Sequence, residues 1–283
     1  MAISPQGGYV PEMGTGIVAG LWMAGLLRSM APVVADTPTV RLDAAQLAKR
    51  LAAASESTPP DLAGVDLSGL DLTGLDFKRA NLTGARLVGA KLAGANLFSC
   101  DLTDAVATEA VLIKANMDGT VLRRTDLQRA DLSGASLFAT ILEKANLAGA
   151  NLSNTRIIGY LRSANLAGAN LARSNAGADP GNQSMGVMRA TFVGADLTGA
   201  DLSGANLYKA DFSYATLTGA RLRGANLENA DLVQTDFRRA DLTGARLAKS
   251  DIEGANFRGA TGVPQIQGLD QARNRDKAIF DEK

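Results

Sequence analysis

The sequence predicts an all-β solenoid, a chain wound into short stacked coils instead of folded about one broad core. Three observations lead there. From Leu62 to Ile157, and again from Phe192 to Phe257, every fifth residue is large and apolar, with Ala107 the single exception. Two places before that residue most units carry Ala, Ser or Thr, with a polar residue such as Asp, Asn, Thr or Arg between the two. Two places after it stands Gly in many units, as at Gly199, Gly204, Gly219 and Gly224. A short strict period of this length marks a repeat architecture.

Two inward residues separated by one outward residue is the period of a β-strand. Here the alternation lasts three residues, as in Ala205, Asn206, Leu207, and the chain must then turn. A lone pentapeptide buries almost nothing. Coils stacked ~4.8 Å apart give each backbone a hydrogen-bonding neighbour above and below and line the interior with ladders of Leu and Ala.

The run from Ala190, ATFVG ADLTG ADLSG ANLYK, resembles the pentapeptide-repeat family, whose unit is Ala-(Asp/Asn)-Leu-X-X. The resemblance covers Asp61 to about Gly262. It implies a right-handed quadrilateral parallel β-helix, one pentapeptide per side. The bulky central residues agree with twenty-residue coils. Phe77, Met117 and Ile157 stand multiples of twenty apart, as do Phe192, Phe212 and Ile252, and Phe237 and Phe257.

Composition narrows the class. The chain of 283 residues is 46% hydrophobic but only 5% aromatic, which suits a slender core better than a broad one. It carries 29 basic and 29 acidic side chains, with four of each sign before residue 61 and four of each after residue 262. A protein that coats nucleic acid shows a basic patch and a high isoelectric point; this balance predicts no nucleic-acid partner.

Residues 1–42 read as an N-terminal arm with Gly and Pro at its start. Within it Ile17 to Leu27 is apolar, IVAGLWMAGLL, too short to span a bilayer as a helix. The stretch 17–35 resembles the apolar core of a secretory leader, with Val33 and Ala35 before a cut at Asp36. Against that, Glu12 and no Lys or Arg precedes the run. The other reading is a hydrophobic arm packed on the solenoid or on a partner. Export to the periplasm is the expected fate. The alternative is a cytoplasmic protein, or one bound to a membrane complex with residues 17–27 as its only membrane contact.

Asp43 to Ser55 reads as a short helix, since Asp43 and Gln46 form a capping-box pattern and Leu47 and Leu51 share a face. Residues 43–60 are then a capping helix and linker that cover the first coil, because a solenoid's open ends need covers. Val65, Leu70 and Leu75 replace the small inner residue and predict a wider first coil. The repeats occupy 61–262. They slip by one residue at Gly159-Tyr160 and lose the motif over 173–189, which reads as a loop. The tail 263–283 is expected to cap the far end, with Leu269, Ala272, Asp276, Ile279 and Phe280 as one helical stripe. Short helical caps are thus expected at both ends.

No residues announce catalysis. Histidine is absent, which removes the commonest general base and metal ligand. The single cysteine, Cys100, stands in an inward small-residue slot and excludes an internal disulfide. No phosphate-cradling loop or nucleophile–base pair appears, so neither an enzyme nor a cofactor is expected. The acid ladder Asp196, Asp201, Asn206, Asp211 lacks the nine-residue calcium motif and reads as structural or solvated.

One outward column is unusual. The residue after the central one is Phe98, Phe138 and Ile158, positions twenty apart, with Asp118 among them. Apolar patches mark docking sites unless something covers them. With Tyr160 and the loop residues Met185 and Met188 they form the candidate partner-binding set. The expected function is a non-catalytic scaffold or protein-interaction module, its partner another protein or a second copy. The alternative follows from the resemblance: some family members imitate DNA and regulate DNA gyrase or topoisomerase. That needs dense negative charge, which Arg86, Lys91, Arg123, Arg124, Arg221, Arg238 and Arg239 cancel here.

Overall fold

Each pentapeptide makes one side of a coil, and four make a turn of the solenoid. A computed structural model describes residues 40–55, 57–178 and 188–282. The apolar run 17–27, the leader reading over 17–35 and Met185 lie outside them. Parallel bridges join positions twenty apart, such as Asp61 with Asn81, Asp66 with Arg86, Asp71 with Lys91 and Asp76 with Asn96. The expected parallel β-helix with twenty-residue, four-sided coils is therefore present.

The local rule repeats with little variation. In the unit around Leu82, the Leu82 N–H donates to Asp101 O in the next coil at 2.7 Å, and the Arg86 N–H donates to Val65 O in the previous one at 2.9 Å. The Ala85 N–H closes the corner on Leu82 O at 2.9 Å. Gly84, the fourth residue, has φ +64°, the left-handed conformation that a type II turn demands there. Non-glycine residues adopt it too, among them Lys209 and Tyr214 with φ of 60° and 62°.

The Asp/Asn position serves the corner. Asp201 Oδ1 accepts from the Ser203 N–H at 2.9 Å, and Asp196 does the same for Thr198. Amides also link coil to coil, as Asn96 Nδ2 donates to Asp76 and Asn116 Nδ2 to Asn96, both at 3.0 Å. The ladder thus holds turns, an Asx-turn role.

Inside, leucines and alanines are buried in succession. Hydroxyls that take the alanine slot are satisfied by carbonyls: Thr120 donates to Leu97 O at 2.9 Å and Thr235 to Phe212 O at 2.9 Å. The bulky columns stack, with ring centroids 4.5 Å apart for Phe192 and Phe212 and 5.1 Å for Phe237 and Phe257.

Helix α1 spans Ala44–Ala53 and covers the first coil with Leu47 and Leu51 buried. Its capping box is complete, Gln46 N–H to Asp43 at 2.8 Å and Asp43 N–H to Gln46 at 2.9 Å. Lys78 Nζ donates to Leu51 O in its last turn at 2.9 Å. Ahead of it, Arg41 bridges Asp66 and occupies one exposed backbone edge. Val65 is buried, while Leu70 and Leu75 pack against the core half-buried.

The slip at Gly159 makes the only strands longer than a single bridge among the described residues. β1 (Ser136–Ile141) and β2 (Arg156–Tyr160) pair in parallel. Tyr160 pairs with Ile141 where register alone would leave it one short, a bulge that absorbs the missing residue. Bridges then span nineteen residues, as Asn146 to Asn165, and afterwards thirty-one, as Asn165 to Asp196. Residues 173–178 remain in the coil, since Asn175 bridges Asn206. Coil geometry thus persists past the loss of motif at Arg173, and residues 179–187 of the expected loop lie outside the described residues.

The tail departs from the single helical stripe. Thr261, Gln267, Arg273 and Ile279 continue the bridges, six residues apart instead of five. Each added residue is taken up in a 3-10 turn, at Val263–Gln265, Leu269–Gln271 and Arg275–Lys277. Left-handed Gly262, Gly268 and Asn274 start these turns. The cap is a last, looser coil, closed by Phe280 stacked on Phe257 at 5.0 Å.

Candidate functional site

The outward column that sequence singled out runs Lys78, Phe98, Asp118, Phe138, Ile158 along one side of the rod. It is not a continuous apolar stripe. Phe98 is 45% exposed. Asp118 follows, its Oδ1 accepting from Ser136 Oγ at 2.5 Å and from the Phe138 N–H at 2.9 Å. Phe138 is half-buried, with the Arg156 guanidinium 4.2 Å from its ring centroid, a cation–π contact that covers the ring. Ile158 is 2% exposed and is removed from the candidate surface. The reason lies in the slip, where β2 stays extended through Tyr160 and Gly159 lacks the left-handed φ of the usual corner, and in the next coil, where Gly177 and Ala178 are buried at the corresponding place. Tyr160 is 51% exposed, but it starts the next side and pairs with Ile141 and Thr191. Met188 is half-buried.

Around Phe98 the surface is concave. A hollow of about 480 Å3 lies between the end of α1 and the first coils, lined by Ser55, Asp76, Lys78, Arg79, Asn96 and Phe98. Asp76 is engaged by the Lys78 N–H at 2.9 Å and by Asn96 Nδ2. Arg79 forms no ion pair among the described residues. Sequence reasoning missed Arg79 and the end of α1 because both reach Phe98 only through the coil stack. Tyr214, 64% exposed at a left-handed corner, was missed as well.

Elsewhere several acids pair with bases in neighbouring coils or in the same side. Arg123 meets Glu143 at 3.1 Å, Arg129 meets Glu109 at 2.6 Å, and Arg221 meets Asp201 at 3.0 Å. Hydrogen bonds from the Arg238 guanidinium hold the Asp236 carboxyl below the usual carboxylate range, and the Thr243 hydroxyl and N–H do the same for Asp241. Among the described residues no group of three or more acids and cysteines is placed to hold a metal ion. No described helix is long and apolar enough to cross a membrane. Cys100 is buried, and burial pushes its thiol up to about 12.

The profile of pentapeptide repeats matches eight copies, over residues 61–97, 100–137, 130–159, 188–224 and 220–259. No functionally curated protein matches. Solved structures do. HetL, a pentapeptide repeat protein involved in heterocyst differentiation regulation in the cyanobacterium Nostoc sp. strain PCC 7120, is 30% identical over 84% of this chain and 94% of that one, with a TM-score of 0.39. A pentapeptide repeat protein of the Arabidopsis thaliana thylakoid lumen is 28% identical over 47% of this chain and 77% of that one, with a TM-score of 0.25. QnrB1, a plasmid-mediated fluoroquinolone resistance protein, is 16% identical over 78% of this chain and 91% of that one, with a TM-score of 0.31.

Proposed function

Since the chain belongs to the pentapeptide-repeat family, we propose that it is a non-catalytic module that binds another protein through the hollow at Phe98. One observation carries this reading: a phenylalanine left 45% exposed in a concave site beside an arginine without a carboxylate partner among the described residues. Interfaces draw most of their binding energy from a few aromatic and arginine anchors in such pockets, ringed by polar groups. The rigid coils below and α1 above hold the anchors in place, so little ordering is needed when a partner arrives. The fitting partner segment offers an apolar side chain to Phe98 and a carboxylate to Arg79.

The test compares proteins retained from the native host by the wild-type chain, by Phe98→Ser and by Arg79→Glu, with sedimentation analysis for self-association. The expected result is loss of one partner, or of a dimer, in both variants while the far-ultraviolet spectrum and melting temperature stay as in the wild type. Identical association by all three chains overturns the assignment of Phe98.

A further inference from the structure

The four-sided coil stack offers four corners, and cations recur at several of them. In two such columns the cation finds its acid one coil away. Arg124 bonds Asp104 and Arg129 bonds Glu109, each pair twenty residues apart in the fourth place of a unit. Another corner gathers two lysines in one column. Its fourth places are Lys209, Asn229 and Lys249, with no acid among them. Their φ values of 60°, 57° and 61° give the three residues the same backbone conformation in successive coils. Together with Arg189 at one end and Arg273 at the other, they line a groove of about 560 Å3.

The nearest carboxylates are already committed. Arg189 bonds Asp231 at 2.6 Å and Asp211 at 3.3 Å. Arg273 lies 3.5 Å from Asp231 and 3.9 Å from Asp251. Asp251 also accepts from Asn274 Nδ2 at 2.8 Å, and Asp211 from the Ser213 N–H at 3.0 Å. The two arginines therefore close the ends of the groove on the aspartate ladder. Lys209 and Lys249 form no ion pair among the described residues. The Lys209 ammonium lies 5.3 Å from the Tyr208 ring centroid. Two coil rises separate the lysines, ~10 Å at the backbone, with an amide between them.

We propose that this corner groove binds a short phosphate chain, whose charge offsets that of the two lysines. The lining offers nitrogen donors and no apolar side chain, which disfavours a nucleobase or an acyl group and suits a compact oxyanion chain. Lysine binds phosphate as a point charge, so one ammonium at each end and the Asn229 amide between them match a chain that spans two coil rises. The site is remote in sequence from Phe98 and stands independently of the proposed protein partner.

Inorganic tripolyphosphate is the probe, titrated calorimetrically into the full chain at low salt. Binding should be at least ~10-fold tighter than that of orthophosphate, which engages one end only, and should weaken as salt screens the charges. Lys209→Gln combined with Lys249→Gln should lower the affinity at least ~10-fold, a loss of about 1.4 kcal/mol, while Lys91→Gln, outside this groove, leaves it unchanged. Glutamine already occupies the same left-handed place at Gln234, so the double variant should melt as the wild type does. Absence of tripolyphosphate binding overturns the proposal, as does binding that the double variant retains. Equal or tighter binding of a hexaglutamate peptide also overturns it, in favour of an acidic protein segment.

Discussion

The guanidinium of Arg124 grips the carboxylate of Asp104 with two hydrogen bonds, 2.6 and 2.5 Å long, from exactly one coil away along the rod. Such pairs recur and leave little of the negative surface that imitation of a nucleic-acid duplex requires. Purified protein is therefore expected to leave supercoiling by DNA gyrase unchanged at equimolar and tenfold excess. Inhibition, or protection of the enzyme from a quinolone, would reinstate the DNA-mimicking alternative.

Gly159 and Gly199 should respond differently to alanine. A Cβ on Gly159 would lie 2.5 Å from Thr140 O, a backbone atom that cannot swing aside. A Cβ on Gly199 meets nothing within 4 Å, although its φ is +66°. Gly159→Ala is expected to cost ~1–3 kcal/mol through overpacking at the bulge. Gly199→Ala should cost ~1 kcal/mol of backbone strain alone. Denaturant midpoints measure both, and an equal loss in the two variants would refute the bulge argument.

Acid should act through the paired carboxylates. Asp236 and Asp241 have folded values below their unfolded ones. Their contribution is therefore present above the unfolded value of ~3.9 and is lost as pH falls through the depressed folded values. Melting temperature should hold down to about pH 4 and fall below it. Arg238→Gln removes the main cause at Asp236, so the Asp236 carboxyl resonance should titrate at higher pH in that variant. An unchanged titration would show that Arg238 does not hold it.

Cys100 should be inert while the coil is intact. A thiol pushed up to about 12 carries on the order of a thousandfold less thiolate at pH 8 than an ordinary one. Ellman's reagent should give no colour with the native chain and one thiol per chain in denaturant. Fast native labelling would place Cys100 outside the core.

How much was readable in advance follows from where the information resides. Each pentapeptide names its own inward residues, so the coil from Leu62 onward, the stacked Phe192 and Phe212, and the twenty-residue turn could be read from spacing alone. Asp43 and Gln46 likewise meet within one turn of helix. The tail misled because Leu269, Ala272 and Ile279 fit a helical stripe as well as six-residue sides; only the bridges of Gln267 and Arg273 to earlier coils decide between them. Ile158 misled for a similar reason. Its spacing marks it as outward, but the missing corner in β2 and the coil after it bury it. The groove from Arg189 to Arg273 needed coordinates, since Arg273 enters only through the longer last coil and the aspartates' commitments are contacts between coils.

The shortened bridge span of nineteen and the lengthened one of thirty-one act like two opposed frameshifts. Together they add ten residues, a whole number of units, so the interior is in frame both before residue 179 and after residue 187. Ten is also half a turn. The sides that follow are therefore numbered two places on from those before: Thr191 stacks over Tyr160, and Asp211 follows it. An insertion or deletion that preserves the lining can thus re-address every surface beyond it, handing a face to a different set of residues without disturbing a single leucine.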